Sequence, residues 1–265
     1  MKESSLKTVT QGNPYGEILF VFHGWAMNSS VWQTVKPRLE QDFMVTWVDL
    51  PGHGENKNIT ANTLDEIVDL IQPLLSKTNK LKQKIHLLGW SLGGLVVQAL
   101  AHRSPQLFSS LSLVASSPKF SQADDWPHAM SVDVLDSFAE SLQTNSDLTM
   151  KRFIALQFLG LKDCKQLQDD LLASILANPA DAHALKVGLA ILKSADYRAI
   201  KHELPQHWIL AGHDRLIPRN MINDLKLIQP NAQITLLENA GHGPFITHAD
   251  EFILSFKQFM SNTIF

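Results

Sequence analysis

The sequence contains little cysteine and no long apolar segment. Its 265 residues include one cysteine, Cys164. A single thiol cannot form an internal disulfide, which favours a reducing compartment. No apolar run reaches the ~18 residues that a membrane span needs, and residues 1–7 lack the apolar stretch of a secretory signal. The sequence therefore predicts a cytoplasmic protein with no membrane segment.

Positive charge and cofactor-binding motifs are also scarce. Lys and Arg number 23 against 26 Asp and Glu, a formal net charge of −3, which argues against a nucleic-acid partner. No glycine pattern of the Walker or dinucleotide type occurs. His202 and His207 are five residues apart with Pro205 between them, so they do not form a helical zinc motif. We expect no nucleic acid, metal or cofactor.

Short apolar runs recur along the chain and predict the strands of an α/β domain. They occupy residues 18–22, 43–48, 85–88, 111–114, 207–211 and 233–237. Helical patterns separate them; the one at residues 64–71 has Asn62 or Thr63 as its candidate cap. Alternation of this kind favours a mostly parallel central sheet with helices on both faces.

One long segment interrupts this alternation. Residues 120–195 have a helical pattern without strands and lie between the fifth and sixth predicted strands. Ligands of parallel α/β sheets bind beyond the carboxyl ends of the strands. We therefore predict a core formed by residues 1–119 and 196–265, with residues 120–195 inserted as a helical lid over that edge.

The most informative motif is Gly-Trp-Ser-Leu-Gly at residues 89–93. It fits G-x-S-x-G, the sharp turn that carries a nucleophilic serine from a strand into a helix. A buried strand is predicted before it and a helix after it, as the turn requires. Ser91 is therefore the candidate nucleophile.

A serine nucleophile needs a base, and the base needs an orienting acid. In proteins that carry this G-x-S-x-G turn, the three residues follow one another along the chain in the order Ser, then Asp or Glu, then His. Asp214 follows the predicted strand at 207–211, and His242 lies between two glycines after the strand at 233–237. Asp49, which precedes the serine, and Glu238, which is close to the histidine loop, are weaker candidates for the acid.

An oxyanion hole needs two N–H donors. One is predicted at Leu92, directly after the nucleophile, and the other at Trp25, in the loop after the strand at 18–22. The rings of Trp25 and Trp90 are candidates for the apolar walls of an acyl pocket.

These residues resemble the α/β-hydrolase superfamily and, within it, the carboxylesterases of biotin synthesis. The more specific segments are the Trp-Ser-Leu turn, Ala-Ser-Ser-Pro at 115–118 and Arg-Phe-Ile-Ala-Leu-Gln at 152–157. The resemblance implies a Ser91, Asp214 and His242 triad with Trp25 and Leu92 as oxyanion donors. It also implies that the substrate is bound by Trp25, Ser91, Leu92, Phe153, Ile154, Ala155, Leu156, Gln157 and His242.

The resemblance further implies a transient partner, an acyl-carrier protein that bears the ester. In this family a basic lid surface meets that acidic carrier. The corresponding candidates here are Lys151, Arg152, Lys162 and Lys165, diluted by Asp163, Asp169 and Asp170. Residues 151 and 162 would lie about three turns apart on one face if a single helix joined them. Gly160 stands between them, and a solvated mixed face is the competing interpretation.

Gly243 and Ala249 stand where the family pattern has Ala and Pro, and neither difference touches the chemistry. The resemblance implies a serine carboxylesterase that hydrolyses the methyl ester of pimeloyl-acyl-carrier protein for biotin synthesis, and we expect it to be a monomer. The alternatives are a broad short-chain carboxylesterase or thioesterase, which would use the same residues, and a ligand receptor built on a hydrolase scaffold.

Overall fold

A computed structural model describes residues 5–79 and 85–264. The prediction that the chain has no secretory signal rests on residues 1–7, and residues 1–4 lie outside the described residues. The strands of the described chain are Thr8–Gly12 (β1), Ile18–Phe22 (β2), Met44–Val48 (β3), Ile85–Trp90 (β4), Phe108–Val114 (β5), Gln206–Ala211 (β6) and Gln233–Leu237 (β7). They form one sheet in the order β1-β3-β2-β4-β5-β6-β7.

The sheet is parallel except at one edge. β1 pairs antiparallel with β3, and every other neighbouring pair is parallel. The predicted α/β class and mostly parallel sheet are therefore confirmed. β1 was not predicted, because its sequence Thr-Val-Thr-Gln-Gly is polar and the strand is largely exposed. By contrast, every residue of β2, β4 and β6 is buried, as expected of strands covered on both faces.

The helices lie in most of the connections between the strands and after the last strand. They are Lys36–Asp42 (α1), Leu64–Asn79 (α2), Leu92–Arg103 (α3), Val132–Thr144 (α4), Ser146–Gln157 (α5), Lys165–Ala177 (α6), Ala182–Ser194 (α7), Met221–Ile228 (α8), Pro244–Thr247 (α9) and Ala249–Ile264 (α10). Of the two candidate caps of α2, Thr63 accepts from the N–H of Glu66 at 3.1 Å. No helix in the described part of the chain is long and apolar enough to cross a membrane.

Four helices, α4 to α7, lie between β5 and β6 in the chain. Helix α7 and its N-cap residue, Asp181, are hydrogen-bonded to the core. The indole Nε1 of Trp25 donates to the carbonyl of Leu185 at 2.9 Å, and the N–H of Asp181 donates to the carbonyl of Gly52 at 2.7 Å. A Cβ at Gly188 would lie 2.5 Å from Cδ1 of Trp25, so only glycine allows α7 to pack this closely. The division into a core and a lid remains a prediction, and these contacts are consistent with it.

The parallel strands bring the predicted site residues to one edge. Trp25 follows β2, Ser91 follows β4, Asp214 follows β6 and His242 follows β7. Because neighbouring parallel strands end on the same side, all four residues lie beyond the carboxyl ends.

Close packing of α3 against β2 depends on Gly93. A Cβ at this position would lie 2.6 Å from the carbonyl oxygens of both Phe22 and His23. Those oxygens belong to the backbone and cannot rotate away. The start of α3, and with it the residue that precedes it, is therefore held directly against the end of β2.

We expect Gly93→Ala to lower the free energy of unfolding by ~1–3 kcal/mol, the usual cost of overpacking, although alanine favours helices by up to about 1 kcal/mol over glycine. Denaturant unfolding measures the change. Gly243→Ala is the matched control, because its Cβ would meet the mobile end of Ile246 at 2.9 Å. Equal stability of the two variants would contradict the packing argument.

Candidate active site

Ser91 occupies a strained turn between β4 and α3. Its φ of 54° and ψ of −118° lie outside the ordinary regions for a residue with a side chain. The strain is held by hydrogen bonds on both sides: Ser91 N–H donates to Val114 O at 2.9 Å, and Ser116 Oγ donates to Ser91 O at 2.9 Å. A Cβ at Gly89 would lie 2.3 Å from the carbonyl oxygen of Gly93. The turn therefore has the geometry that the motif predicts.

Asp214 and His242 form a hydrogen-bonded pair. His242 Nδ1 lies 2.8 Å from Asp214 Oδ2, and both side chains are fully buried. The other carboxylate oxygen, Oδ1, accepts from the N–H groups of Leu216 at 2.8 Å and Ile217 at 3.0 Å. An ionised carboxylate can only accept hydrogen bonds. In the bond to Asp214 the proton therefore lies on Nδ1 of His242. Nε2 of His242 then carries the lone pair that a base needs.

Nε2 of His242 is buried and has no hydrogen-bond partner among the described residues. No hydrogen bond therefore joins it to Ser91. In enzymes without substrate, catalytic hydrogen bonds are often long and tighten only in the complex. The three residues of the predicted triad come to the same edge of the sheet, and one of the two predicted contacts is formed.

Trp90 fixes the histidine loop beside the nucleophile. Its indole Nε1 donates to the backbone carbonyl of His242 at 2.8 Å, and its ring lies 5.5 Å from the imidazole. Phe245 packs edge-on against Trp90 at 5.1 Å and stacks on Trp32 at 3.9 Å.

Trp90 does not line the cavity beside Ser91, contrary to its predicted role as an acyl wall. No sequence pattern indicates the bond from its indole to His242, because the acceptor is a backbone atom 152 residues away.

The two residues predicted to supply oxyanion donors, Trp25 and Leu92, lie close to Ser91. Leu92 is the first residue of α3, so its N–H has no acceptor within the helix. Trp25 follows Gly24, where a Cβ would lie 3.2 Å from Cβ of Ser91. His23 holds this loop from behind: its Nδ1 donates to Gly24 O at 2.8 Å, and its Nε2 accepts from Leu50 N–H at 2.9 Å. Burial lowers the pKa of His23, which favours the neutral ring that this pattern requires.

Several other polar residues have structural partners. Asp49 accepts from the N–H groups of Ser29 at 2.6 Å and Glu55 at 3.0 Å, so it braces a loop. Glu238 is exposed and pairs with Arg219 at 3.3 Å. Neither is the acid that contacts His242. His53 is buried, and its pKa is lowered to about 3, mainly by desolvation and to a smaller extent by the nearby His23.

A small apolar cavity adjoins Ser91. Its volume is about 20 Å³, which is room for about one water molecule. Its walls are Trp25, Phe120, Met130, Leu135, Phe138, Phe153, Leu189, Leu192 and Leu216.

The residues predicted to bind substrate on α5 divide between two surfaces. Phe153 lines the cavity, whereas Ala155 and Leu156 line a separate groove on the outside of the helices. Ile154 is buried. Gln157 is buried as well, and both atoms of its side-chain amide lack hydrogen-bond partners in the described chain.

The four cations predicted to dock a carrier are exposed. α5 ends at Gln157 and Gly160 has a φ of 87°, so no single helix joins Lys151 to Lys162. Lys165 is paired with Asp169 one turn later. Among the described residues, no group of three or more His, Cys, Asp or Glu side chains is arranged to hold a metal ion.

Comparison with curated proteins finds close relatives over nearly the whole chain. A protein of Pseudoalteromonas atlantica named pimeloyl-[acyl-carrier protein] methyl ester esterase is 38% identical over 98% of this chain and 99% of its own length. A protein of the same name from Aliivibrio fischeri is 37% identical over 93% of this chain and 94% of its own. A third, from Nitrosomonas europaea, is 34% identical over 96% and 98%.

Solved structures share the fold at lower sequence identity. An esterase from Exiguobacterium antarcticum has a TM-score of 0.84 at 20% identity, covering 97% of this chain and 94% of its own. A hydrolase from Oleispira antarctica has a TM-score of 0.86 at 18% identity, covering 97% and 95%. The family described as the alpha/beta hydrolase family matches residues 18–253. This chain belongs to the alpha/beta hydrolase family.

Proposed function

We propose that this protein is a serine carboxylesterase that hydrolyses the methyl ester of a pimeloyl group on acyl-carrier protein, which frees a carboxylate for biotin synthesis. The near-full-length similarity to relatives of that name supports the substrate. The observation that carries the reaction type is the buried Asp214–His242 pair beside the strained Ser91 turn. We further propose a cytoplasmic, monomeric enzyme with acyl-carrier protein as its transient partner.

The proposed reaction begins at Ser91. Its Oγ attacks the ester carbonyl carbon while Nε2 of His242 takes the hydroxyl proton. The tetrahedral intermediate collapses as the C–O bond to the methoxy group breaks, and the imidazolium returns its proton to the leaving methanol. A water molecule, deprotonated by the same nitrogen, then attacks the acyl carbonyl carbon; the bond to Ser91 Oγ breaks, and the imidazolium returns its proton to Oγ. Asp214 keeps the proton on Nδ1 and stabilises the imidazolium.

The negative charge that develops on the carbonyl oxygen needs donors already in place. The N–H groups of Leu92 and Trp25 are the proposed donors. Leu92 begins a helix of 12 residues, whose dipole adds partial positive charge at the same point. The buried apolar surroundings strengthen each of these interactions relative to water.

We expect Ser91→Ala to reduce kcat for p-nitrophenyl butyrate by at least ~10⁴-fold, the scale seen when a triad member is removed. The melting temperature and circular dichroism of the variant should remain those of a folded protein. Ser194→Ala, on the exposed end of α7, is the matched control with normal turnover. Retained hydrolysis by Ser91→Ala would remove the nucleophile assignment.

The named substrate is tested by complementation. In a biotin-requiring bacterial strain that lacks its own methyl-ester esterase, we expect the wild-type gene to restore growth without biotin and Ser91→Ala to fail. Purified enzyme should also cleave the carrier-bound methyl ester with a higher kcat/KM than the free monomethyl ester. Ester hydrolysis in vitro without complementation would instead favour a broad carboxylesterase, and the absence of multiple turnovers would favour a receptor.

Trp90→Phe tests whether the indole positions the base. The variant keeps an aromatic ring but leaves the buried His242 carbonyl unpaired, which costs ~1–3 kcal/mol. We expect kcat for p-nitrophenyl butyrate to fall about tenfold, equivalent to ~1.4 kcal/mol, with KM unchanged. Trp208→Phe is the matched control, since this buried indole donates to Gln206 Oε1 at 3.2 Å, away from the site. Equal kcat values for the two variants would contradict the positioning role.

A further inference from the structure

Two spaces lie on either side of Phe138. On one side is the catalytic cavity of about 20 Å³ that contains Ser91. On the other is an open groove of about 500 Å³ between α4 and α5. Phe138 lines both spaces. Its ring is therefore a partition between the nucleophile and the outside of the helical segment.

The catalytic cavity is too small for a substrate. Sites for small ligands usually measure ~300–1,000 Å³, so some wall must move before an acyl chain can enter. Seven of its nine apolar walls are buried, and the two that are only partly buried are Met130 and Phe138. Met130 does not line the groove. Phe138 is thus the wall whose movement joins the two spaces.

The packing of Phe138 is suited to such movement. Its ring makes edge contacts with Trp25 at 6.5 Å and with Phe153 at 6.0 Å. The phenyl ring of Phe138 forms no hydrogen bond in these contacts. It can therefore rotate without leaving a buried polar group unpaired. The groove beside it offers free space for the rotated ring.

We propose that Phe138 is a gate that opens the catalytic cavity into the outer groove, and that the groove binds the substrate beyond its acyl chain. This inference rests on the proposed function, because a carrier-borne acyl group ends in a thioester to a linear, amide-bearing arm. The ester would lie at Ser91, the acyl chain would pass Phe138, and the arm would lie in the groove.

The groove has the chemistry that such an arm requires. Val134 and Leu159 expose 42% and 52% of their surface there, which gives apolar contact for methylene groups. Ser137 and Ser141 supply hydroxyls for amide groups. Arg152 also lines the groove and has no ion pair in the described part of the chain, so it is available to the phosphate at the end of the arm. Asp133 is the one carboxylate of the lining.

The gate is tested with p-nitrophenyl esters of increasing length. We expect Phe138→Ala to raise the ratio of kcat/KM for the decanoate to that for the acetate by about tenfold, within the range of pocket-size effects. Phe153→Ala removes the same atoms from a wall that faces the cavity but not the groove, and should raise this ratio far less. Equal ratios would show that volume alone matters and would overturn the gate. Phe138→Leu serves as the second variant if Phe138→Ala is unstable.

The groove is tested with the pantetheine thioester of monomethyl pimelate. Val134→Trp should fill the groove and lower kcat/KM for this ester, relative to p-nitrophenyl acetate, by about tenfold. Leu254→Trp on α10, where the leucine is 71% exposed, should leave this ratio unchanged. An unchanged ratio in Val134→Trp would overturn the groove as the binding site. If wild-type enzyme cleaves the p-nitrophenyl esters but not the methyl ester, the proposed function fails while the gate test still gives a result.

Discussion

The hydrogen bond from the indole of Trp90 to the carbonyl of His242 links the two halves of the proposed catalytic machinery. Trp90 is the last residue of β4, and Ser91 is next to it in the chain. The bond therefore ties the histidine loop to the backbone that carries the nucleophile. Trp90 holds the buried backbone carbonyl of His242, the proposed base, and the ring of Trp90 is in turn packed against Phe245. A loop that contains two glycines becomes, through this bond, a fixed part of the site.

The site is built where several strands end and depends on their common direction. Parallel pairing from β2 to β7 carries Trp25, Ser91, Asp214 and His242 to one edge although they are far apart in the chain. Hydrogen bonds then fix two of them: Asp214 is held by two backbone N–H groups, and Ser91 is held by Ser116 and Val114. These polar groups thus have partners within the fold, whereas Nε2 of His242 has no hydrogen-bond partner among the residues that the structure describes.

Sequence reasoning succeeded where the pattern is local. Buried strands such as β2 are continuous apolar runs, and the Gly-Trp-Ser-Leu-Gly turn carries its own signature. Chain order then selected Asp214 over Asp49 and Glu238, in agreement with the contact to His242. Sequence reasoning failed for β1, whose residues are polar and form a strand through pairing with β3. It also misjudged Trp90, because an aromatic ring before the nucleophile can face either the cavity or the histidine loop, and only tertiary packing decides between them.

The contact between α7 and Trp25 has a mechanical consequence. The indole of Trp25 is hydrogen-bonded to Leu185, and its ring lies against Gly188, while its own N–H is a proposed oxyanion donor. The position of α7 therefore affects the position of the proposed donor, because both depend on the side chain of Trp25. A displacement of α7 that breaks these contacts would disturb the loop that stabilises the developing charge. If Trp25 is an oxyanion donor, the seating of α7 therefore sets how well the site stabilises that charge, although the helix itself does not touch the reacting atoms.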